Sequence, residues 1–148
     1  MIRIPTAIAA AACLGLGVCM DESGSGQAAV TPETMIRATI IASGRAASGE
    51  VPRLVLLADG KEVGEASITA SRADGKWGVY EFDWRGSRPS VLAVRYANDL
   101  GDRDLWVRKV VLDGAELAPE RGTYVRDGRE PLPGRSRLSW PGELRFQL

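Results

Sequence analysis

Apolar and polar residues alternate with a period of two over much of the chain after Met35. The clearest case is the stretch 77–84, in which large aromatic side chains share one face and carboxylates share the other. The aromatic face carries Tyr80, Phe82 and Trp84, and the polar face carries Glu81 and Asp83. Strict alternation predicts a β-strand with one buried face. The run 53–58 is almost continuously apolar, which predicts a strand buried on both faces.

The same pattern predicts further strands at 35–40, 61–69, 91–97, 105–112, 123–126, 137–140 and 143–146, the last two joined by Pro141-Gly142. Asp-Gly occurs four times, beginning at Asp59, Asp74, Asp113 and Asp127. This dipeptide readily adopts the positive φ angles of tight hairpin turns. No stretch combines a helical period with caps. Many short strands separated by turns predict an all-β fold, a β-sandwich or jelly roll, over residues 34–148.

The first 20 residues carry Arg3 and then an apolar run, which predicts a signal peptide rather than a membrane span. The segment 16–19 also resembles a lipoprotein cleavage box that ends at Cys19, although Val18 is larger than such boxes prefer. Ordinary cleavage nearby and lipidation of Cys19 therefore both stay open. Residues 21–33 begin polar and rich in Gly and Ser, as in a flexible tether. We expect export, to the periplasm, to a lipid anchor or to the medium.

Composition excludes several classes of function. The 19 basic and 19 acidic residues balance, and nucleic acids and anionic membranes both require a basic surface. With no histidine in the chain, Ser-His-Asp catalysis and histidine-bound zinc are excluded. Both cysteines, Cys13 and Cys19, lie in the predicted leader. Carboxylates and carbonyls remain as metal ligands, and these suit hard cations such as calcium and magnesium.

One loop concentrates such ligands. Asp99, Asp102 and Asp104 lie within six residues, around Gly101 and between two predicted strands. Carboxylates this close repel one another unless a cation or water screens them. The spacing does not supply the ligands of an EF-hand loop. A metal site and a solvated acidic turn are the two alternatives.

The loop sequence NDLGDRDLWV (98–107), followed by an apolar strand and Asp113-Gly114, resembles the calcium-dependent xylan-binding carbohydrate-binding modules of families 36 and 60. A second match is Ser48-Gly49-Glu50, which precedes the 53–58 strand where that family carries a Gly-Glu segment. The resemblance spans residues 35–114, and its most specific feature is the spacing of Asp99 and Asp104.

The resemblance implies a calcium ion held by the carboxylates of Glu50, Asp99 and Asp104 and by the backbone carbonyl of Arg103. It also implies that vicinal sugar hydroxyls complete the coordination of the ion, which accepts six to eight oxygens. The predicted ligand-binding residues are Asp99, Asp102, Asp104 and Trp106. Asp102 is an extra carboxylate, Trp106 replaces a usual tyrosine, and the tail 115–148 lies outside the motif. Trp106 is predicted either to stack on a sugar or to belong to the core or its rim.

These features predict a non-catalytic, calcium-dependent protein that binds a xylan-like polysaccharide. The first alternative is a structural or interaction module of the cell envelope in which calcium stiffens the loop. The second is a glycan-active enzyme that uses Glu81 and Asp83 as an acid/base pair, although such pairs usually come from different strands.

Overall fold

The computed structural model of the chain describes residues 33–148. Its longest strand, β1 (Thr34–Arg45), follows the predicted alternation. Ile36, Ala38, Ile40 and Ala42 are each at most 1% exposed, and the residues between them face away from the core. Removing an isoleucine side chain from water stabilises a fold by about 1.5–3 kcal/mol. The alternation therefore fixes which face of the strand is buried.

The remaining elements within residues 33–148 are β-strands and one 3₁₀ helix. They are β2 (Arg53–Ala58), β3 (Lys61–Ser67), β4 (Gly78–Gly86), β5 (Val91–Tyr96), β6 (Asp104–Leu112), β7 (Ala115–Leu117), the 3₁₀ helix Pro119–Arg121, β8 (Thr123–Val125), β9 (Leu132–Pro133), β10 (Arg137–Leu138) and β11 (Gly142–Gln147). Within residues 33–148, no helix has the length and apolarity needed to cross a membrane.

The strands form two antiparallel sheets, of six and five strands. The six-stranded sheet has the order β9-β8-β11-β5-β2-β3. The five-stranded sheet has the order β10-β6-β1-β4, with β7 also paired to β6. Their inward-facing side chains form one core, to which β1, β2, β5, β6 and β11 contribute most. The predicted β-sandwich is confirmed.

Most predicted strands are observed within three residues of their predicted ends. Leu54, Val55, Leu56 and Leu57 of β2 are all at most 5% exposed, so the prediction of burial on both faces is confirmed. The short elements β7, β9 and the 3₁₀ helix were not predicted. Their sequences are too short or too polar to show a period. The predicted signal peptide, Cys19 and nearly all of the tether lie outside the described residues.

Two of the four Asp-Gly pairs form the predicted tight turns. Asp59-Gly60 joins β2 to β3 and Asp113-Gly114 joins β7 to its partner β6, with positive φ at both residues of each pair. The pairs at 74–75 and 127–128 have a positive φ only at glycine and lie in longer connections. Pro141-Gly142 does not join two paired strands. It connects strands of different sheets, because β10 pairs with β6 and β11 pairs with β5 and β8.

A partly buried carboxylate ties strands β5 and β11 together. Glu143 has a side chain only 17% exposed. Its Oε1 accepts hydrogen bonds from Arg95 Nε at 3.0 Å and Nη2 at 2.6 Å, and its Oε2 accepts one from Arg145 Nε at 2.8 Å. Burial raises the pKa of Glu143, but the hydrogen bonds from Arg95 and Arg145 outweigh it and leave the pKa below its ordinary value.

We predict that Glu143→Gln lowers the free energy of unfolding at pH 7 by about 1–2 kcal/mol, because charge-assisted hydrogen bonds are lost. A carboxyl group whose pKa is depressed by folding contributes stability above its unfolded pKa, and this is lost as pH falls through the folded value. Urea denaturation at pH 7 and at about pH 3 should therefore show the difference from the parent shrinking in acid. Glu116→Gln is the control, because its 2.7 Å pair with Lys109 is more than half exposed on the Glu116 side. It should cost less than about 0.5 kcal/mol. Equal losses at the two sites would contradict the prediction.

Candidate functional site

A tight turn presents the first predicted acidic residue. Ala47 and Glu50 exchange backbone hydrogen bonds of 3.0 and 3.1 Å across Ser48 and Gly49. Both intervening residues have positive φ, 56° and 81°. This left-handed geometry is easy for glycine and uncommon for serine. The turn places the Glu50 side chain on the surface beside the acidic loop, where it is 64% exposed.

The acidic loop runs from the end of β5 to the start of β6, and Asn98 fixes its beginning. The Asn98 side-chain oxygen accepts a hydrogen bond from the Arg53 backbone N–H at 2.6 Å, and its amide donates to the Val51 carbonyl at 3.0 Å. Gly101 then bends the loop with a φ of 67°. The amide thus holds the loop against the start of β2, a role that the sequence did not predict.

Arg103 joins the turn to the loop through its side chain, which is completely buried. Its Nη2 donates to the Ala47 carbonyl at 3.1 Å and lies 3.1 Å from Oε2 of Glu50. Its Nη1 donates to the Asn98 carbonyl. The predicted contribution of Arg103 was its own carbonyl, and this accepts a hydrogen bond from the Tyr96 hydroxyl at 2.9 Å. A carbonyl oxygen has a second lone pair, so this bond leaves it able to bind a cation.

Asp104 begins β6 and is buried, with only 4% of the residue exposed. Its Oδ2 lies 2.8 Å from Arg137 Nη2 and 4.0 Å from Arg45 Nη1. Arg45 is paired directly with Asp104 in the β1–β6 register. The alternative of a solvated acidic turn is therefore wrong for Asp104. Asp102, by contrast, is exposed.

Asp99 is the least satisfied carboxylate of the loop. Its Oδ1 is buried and has no hydrogen-bond partner among the described residues. Burial raises the pKa of Asp99, and the negative charge of Asp104 raises it further, against the lowering effects of the Tyr96 hydroxyl and the Arg103 charge. A buried, unpartnered carboxylate oxygen costs free energy that a bound cation would offset. Asp99, Asp104 and the Arg103 carbonyl therefore fit a hard cation in donor chemistry.

Glu50 is held differently from the other predicted metal ligands. Its carboxylate contacts the Arg103 guanidinium, and within residues 33–148 no three carboxylates gather into a metal-binding group. Arg137 and Arg45 already neutralise Asp104, so a cation would share that carboxylate with them or displace them. The metal-binding roles of Glu50, Asp99, Arg103 and Asp104 stay predictions.

Trp106, the predicted sugar-stacking residue, is half-buried. The Arg137 guanidinium lies 5.4 Å from the centre of its ring, a cation–π distance. Arg137 therefore contacts both Trp106 and Asp104, and a sugar on the same face of the ring would have to displace it. The stacking role of Trp106 also stays a prediction.

The suggested acid/base pair lies on an exposed strand face, and its Asp83 member is held ionised by an arginine. Glu81 and Asp83 are exposed on β4. Asp83 accepts hydrogen bonds from Arg37 Nε at 2.8 Å and Nη2 at 3.2 Å, which hold its pKa below the ordinary value. A general acid needs a raised pKa. This arrangement gives the enzyme alternative no support.

Comparison with known proteins identifies relatives of this fold. The model of family CBM60, calcium-dependent carbohydrate-binding modules described as xylan-binding, matches residues 37–126, which are 90 of the 148 residues. A search among curated proteins finds no match to this sequence. The match begins in β1 and includes both the turn at 47–50 and the acidic loop.

Two solved structures share the architecture. One is vCBM60 in complex with galactobiose, with a TM-score of 0.60 and 18% identity, and the alignment covers 75% of this chain and 97% of that one. The other is the selenomethionine form of vCBM60, with a TM-score of 0.57 and 19% identity over 76% of this chain and 90% of that one. At these identities the likeness shows a shared fold. The family-60 resemblance predicted from the two loops is confirmed by the family match.

Proposed function

Because the chain belongs to CBM60, a family of non-catalytic carbohydrate-binding modules, we propose that it binds a xylan-like polysaccharide in a calcium-dependent manner. The family match over residues 37–126 is the observation that carries the proposal. The Oδ1 atom of Asp99, which is buried and has no hydrogen-bond partner among the described residues, supports it independently. A bound cation would offset the free-energy cost of burying this oxygen.

We assign the ion to Asp99, Asp104 and the carbonyl of Arg103, with Glu50 at the margin of the site. When bound, calcium supplies a positive centre whose remaining coordination positions accept neutral sugar hydroxyls. Three other groups hold these ligands in position. The Arg103 side chain fixes the distance between the turn and the loop, the Tyr96 hydroxyl orients the Arg103 carbonyl, and Asn98 anchors the loop to β2.

Two groups oppose ion binding and set its affinity. Arg137 and Arg45 neutralise Asp104 in the absence of the ion, and calcium has to compete with them. Asp99 favours ion binding, because its ionised form is poorly stabilised without a cation. We infer a moderate affinity, suited to a compartment where free calcium is abundant.

Export would place the protein in such a compartment. This proposal rests on the apolar run before residue 20 and on the Gly/Ser-rich stretch after it. Mass spectrometry of the mature N-terminus distinguishes its forms, because a lipid on Cys19 indicates an anchor and a chain that begins at Asp21 or later excludes one.

The decisive experiment is a titration calorimetry series with calcium, then with xylo-oligosaccharides and galacto-oligosaccharides. We predict that xylan binding is lost on chelation and returns with excess calcium. Saturating calcium at about 100 times its Kd should add about 2.7 kcal/mol to the free energy of unfolding and raise Tm by roughly 10 °C.

Glu81→Gln is the control and should behave as the parent, because Glu81 lies exposed on β4, outside the loop. If calcium raises Tm but no polysaccharide binds, the protein is the structural module in which calcium only stiffens the loop. If xylan binds equally well with chelator, calcium dependence is wrong.

A further inference from the structure

A second cavity lies beside the acidic loop, on the part of the sandwich formed by the C-terminal strands. It has a volume of about 270 Å³. Its polar lining is dominated by Arg126, Arg135 and Arg137, and its aromatic lining by Tyr124 and Trp140. Among residues 33–148, no carboxylate side chain lines it.

The aromatic part of the cavity is held rigidly. The Tyr124 hydroxyl donates to the Trp140 carbonyl and accepts a hydrogen bond from the Trp140 backbone N–H at 3.2 Å. Trp140 is nevertheless 48% exposed. The Arg126 guanidinium lies 5.1 Å from the centre of the Trp140 ring and 5.7 Å from that of Tyr124, and the Arg129 guanidinium lies 5.8 Å from the centre of the Trp140 ring. A planar, exposed ring beside fixed cations is an arrangement suited to a ring-shaped ligand that carries negative charge.

The donors in the cavity exceed the acceptors available to them. Arg126 Nε is buried and has no hydrogen-bond partner among the described residues, and Arg126 Nη2 reaches only the Glu130 carbonyl at 3.3 Å. Arg135 is exposed and forms no ion pair within residues 33–148. Only Arg137 has a carboxylate partner, Asp104. A buried N–H without an acceptor costs free energy, and an anion in the cavity would supply the acceptor.

A larger depression lies on the outer face of the six-stranded sheet and serves as a comparison for the cavity. That depression also contains arginines, but Arg53 pairs with Glu65 at 3.6 Å, and Arg95 and Arg145 both bond Glu143. Each of its arginines is therefore paired with a carboxylate within the protein. The cavity beside Trp140 differs because its positive charge has too few internal partners.

The cavity is also contiguous with the proposed calcium site. Arg137 lines the cavity, lies 2.8 Å from Oδ2 of Asp104 and covers the ring of Trp106. One glycan bound at Asp99 and Asp104 can therefore extend a branch into the cavity.

We propose that this cavity is a subsite for a sugar that carries a carboxylate, a uronic acid branch on the polysaccharide. The guanidinium groups of Arg126 and Arg135 would bind the carboxylate, and the sugar ring would pack against Trp140 by displacing an arginine from the face of its ring. This inference rests on the proposed function for the main chain of the polysaccharide, and it adds the class of branch sugar that the module selects.

The test compares two ligands that differ only in charge. One is a xylo-oligosaccharide with a single glucuronic acid branch, and the other is its carboxyl-reduced form, which keeps the branch as a neutral sugar. We expect the charged ligand to bind about tenfold more tightly in saturating calcium at low salt. The preference should fall as ionic strength rises, because the arginines are partly exposed.

The double variant Arg126→Gln/Arg135→Gln should reduce that preference to nearly one. Arg88→Gln is the matched control, because Arg88 is an exposed arginine outside the cavity, and it should keep the preference. Equal binding of the two ligands by the parent, or a preference that survives in the double variant, would overturn the subsite while leaving the proposed function intact. Failure of both ligands and of unbranched xylo-oligosaccharide would overturn the two together.

Discussion

Replacement of Arg103 by methionine should lower the free energy of unfolding by about 3 kcal/mol, a large share of the 5–15 kcal/mol that holds a typical domain together. Methionine fills most of the space of the arginine stem but donates no hydrogen bonds. The carbonyls of Ala47 and Asn98 would each lose their donor, and leaving such a group unpaired costs about 1–3 kcal/mol. The substitution also removes Arg103 Nε, which is buried and has no hydrogen-bond partner among the described residues, and this offsets a small part of the lost stability.

Urea denaturation without calcium measures this effect separately from ion binding. Glu50→Gln is the control, because it removes the charge partner of Arg103 while its own side chain is 64% exposed. It should cost no more than about 1 kcal/mol. If Arg103→Met were as mild as Glu50→Gln, the buried arginine would fill space between the turn and the loop without holding them together.

The strands of the sandwich could be predicted because each has one clear face. Ile36, Ala38 and Ile40 recur every second residue, and the buried β2 reads as a continuous apolar run. Which sheet each strand joins could not be predicted, since that depends on pairings between residues far apart in the sequence. Arg137, for example, pairs in register with Trp106, which lies 31 positions earlier in the sequence, while β11, only a few residues later, joins the opposite sheet.

The acidic loop was predictable as a unit, but the groups that control it were not. Asp99 and Asp104 belong to a motif whose spacing is visible in the sequence. Arg45 and Arg137 reach Asp104 only through strand register, and no local pattern marks them. The burial of the Arg103 side chain was likewise invisible, because an arginine between two aspartates is most simply interpreted as exposed.

The same distinction applies to the cavity beside Trp140. Two of its arginines, Arg126 and Arg135, lie in connections and Arg137 lies in β10, in a tail whose strands are too short to show a period. The fold brings Arg126 and Arg135 to one cavity with an exposed tryptophan.

Asp99→Asn and Asp104→Asn should both lower calcium affinity by roughly ten- to a hundredfold, since each removes one charged ligand worth about 1.5–3 kcal/mol. Without calcium, the two substitutions should affect the free energy of unfolding differently. Asp104→Asn removes the partner of Arg137 from a buried position and should destabilise the domain by about 1–2 kcal/mol. Asp99→Asn removes a charge that the metal-free protein stabilises poorly and should leave stability unchanged or raise it by up to about 1 kcal/mol.

Chemical denaturation in chelator, followed by calcium titration of the same samples, gives all four values. Xylan binding should fall with calcium affinity in both variants, because the sugar is proposed to bind through the ion. A residue kept at a cost in stability and needed for binding is expected at a functional site. Only the combination of stable metal-free protein and weak calcium binding in Asp99→Asn would identify Asp99 as such a residue. An Asp99→Asn protein that binds calcium as the parent does, or that is clearly less stable without it, would show that its buried oxygen has no part in holding a cation.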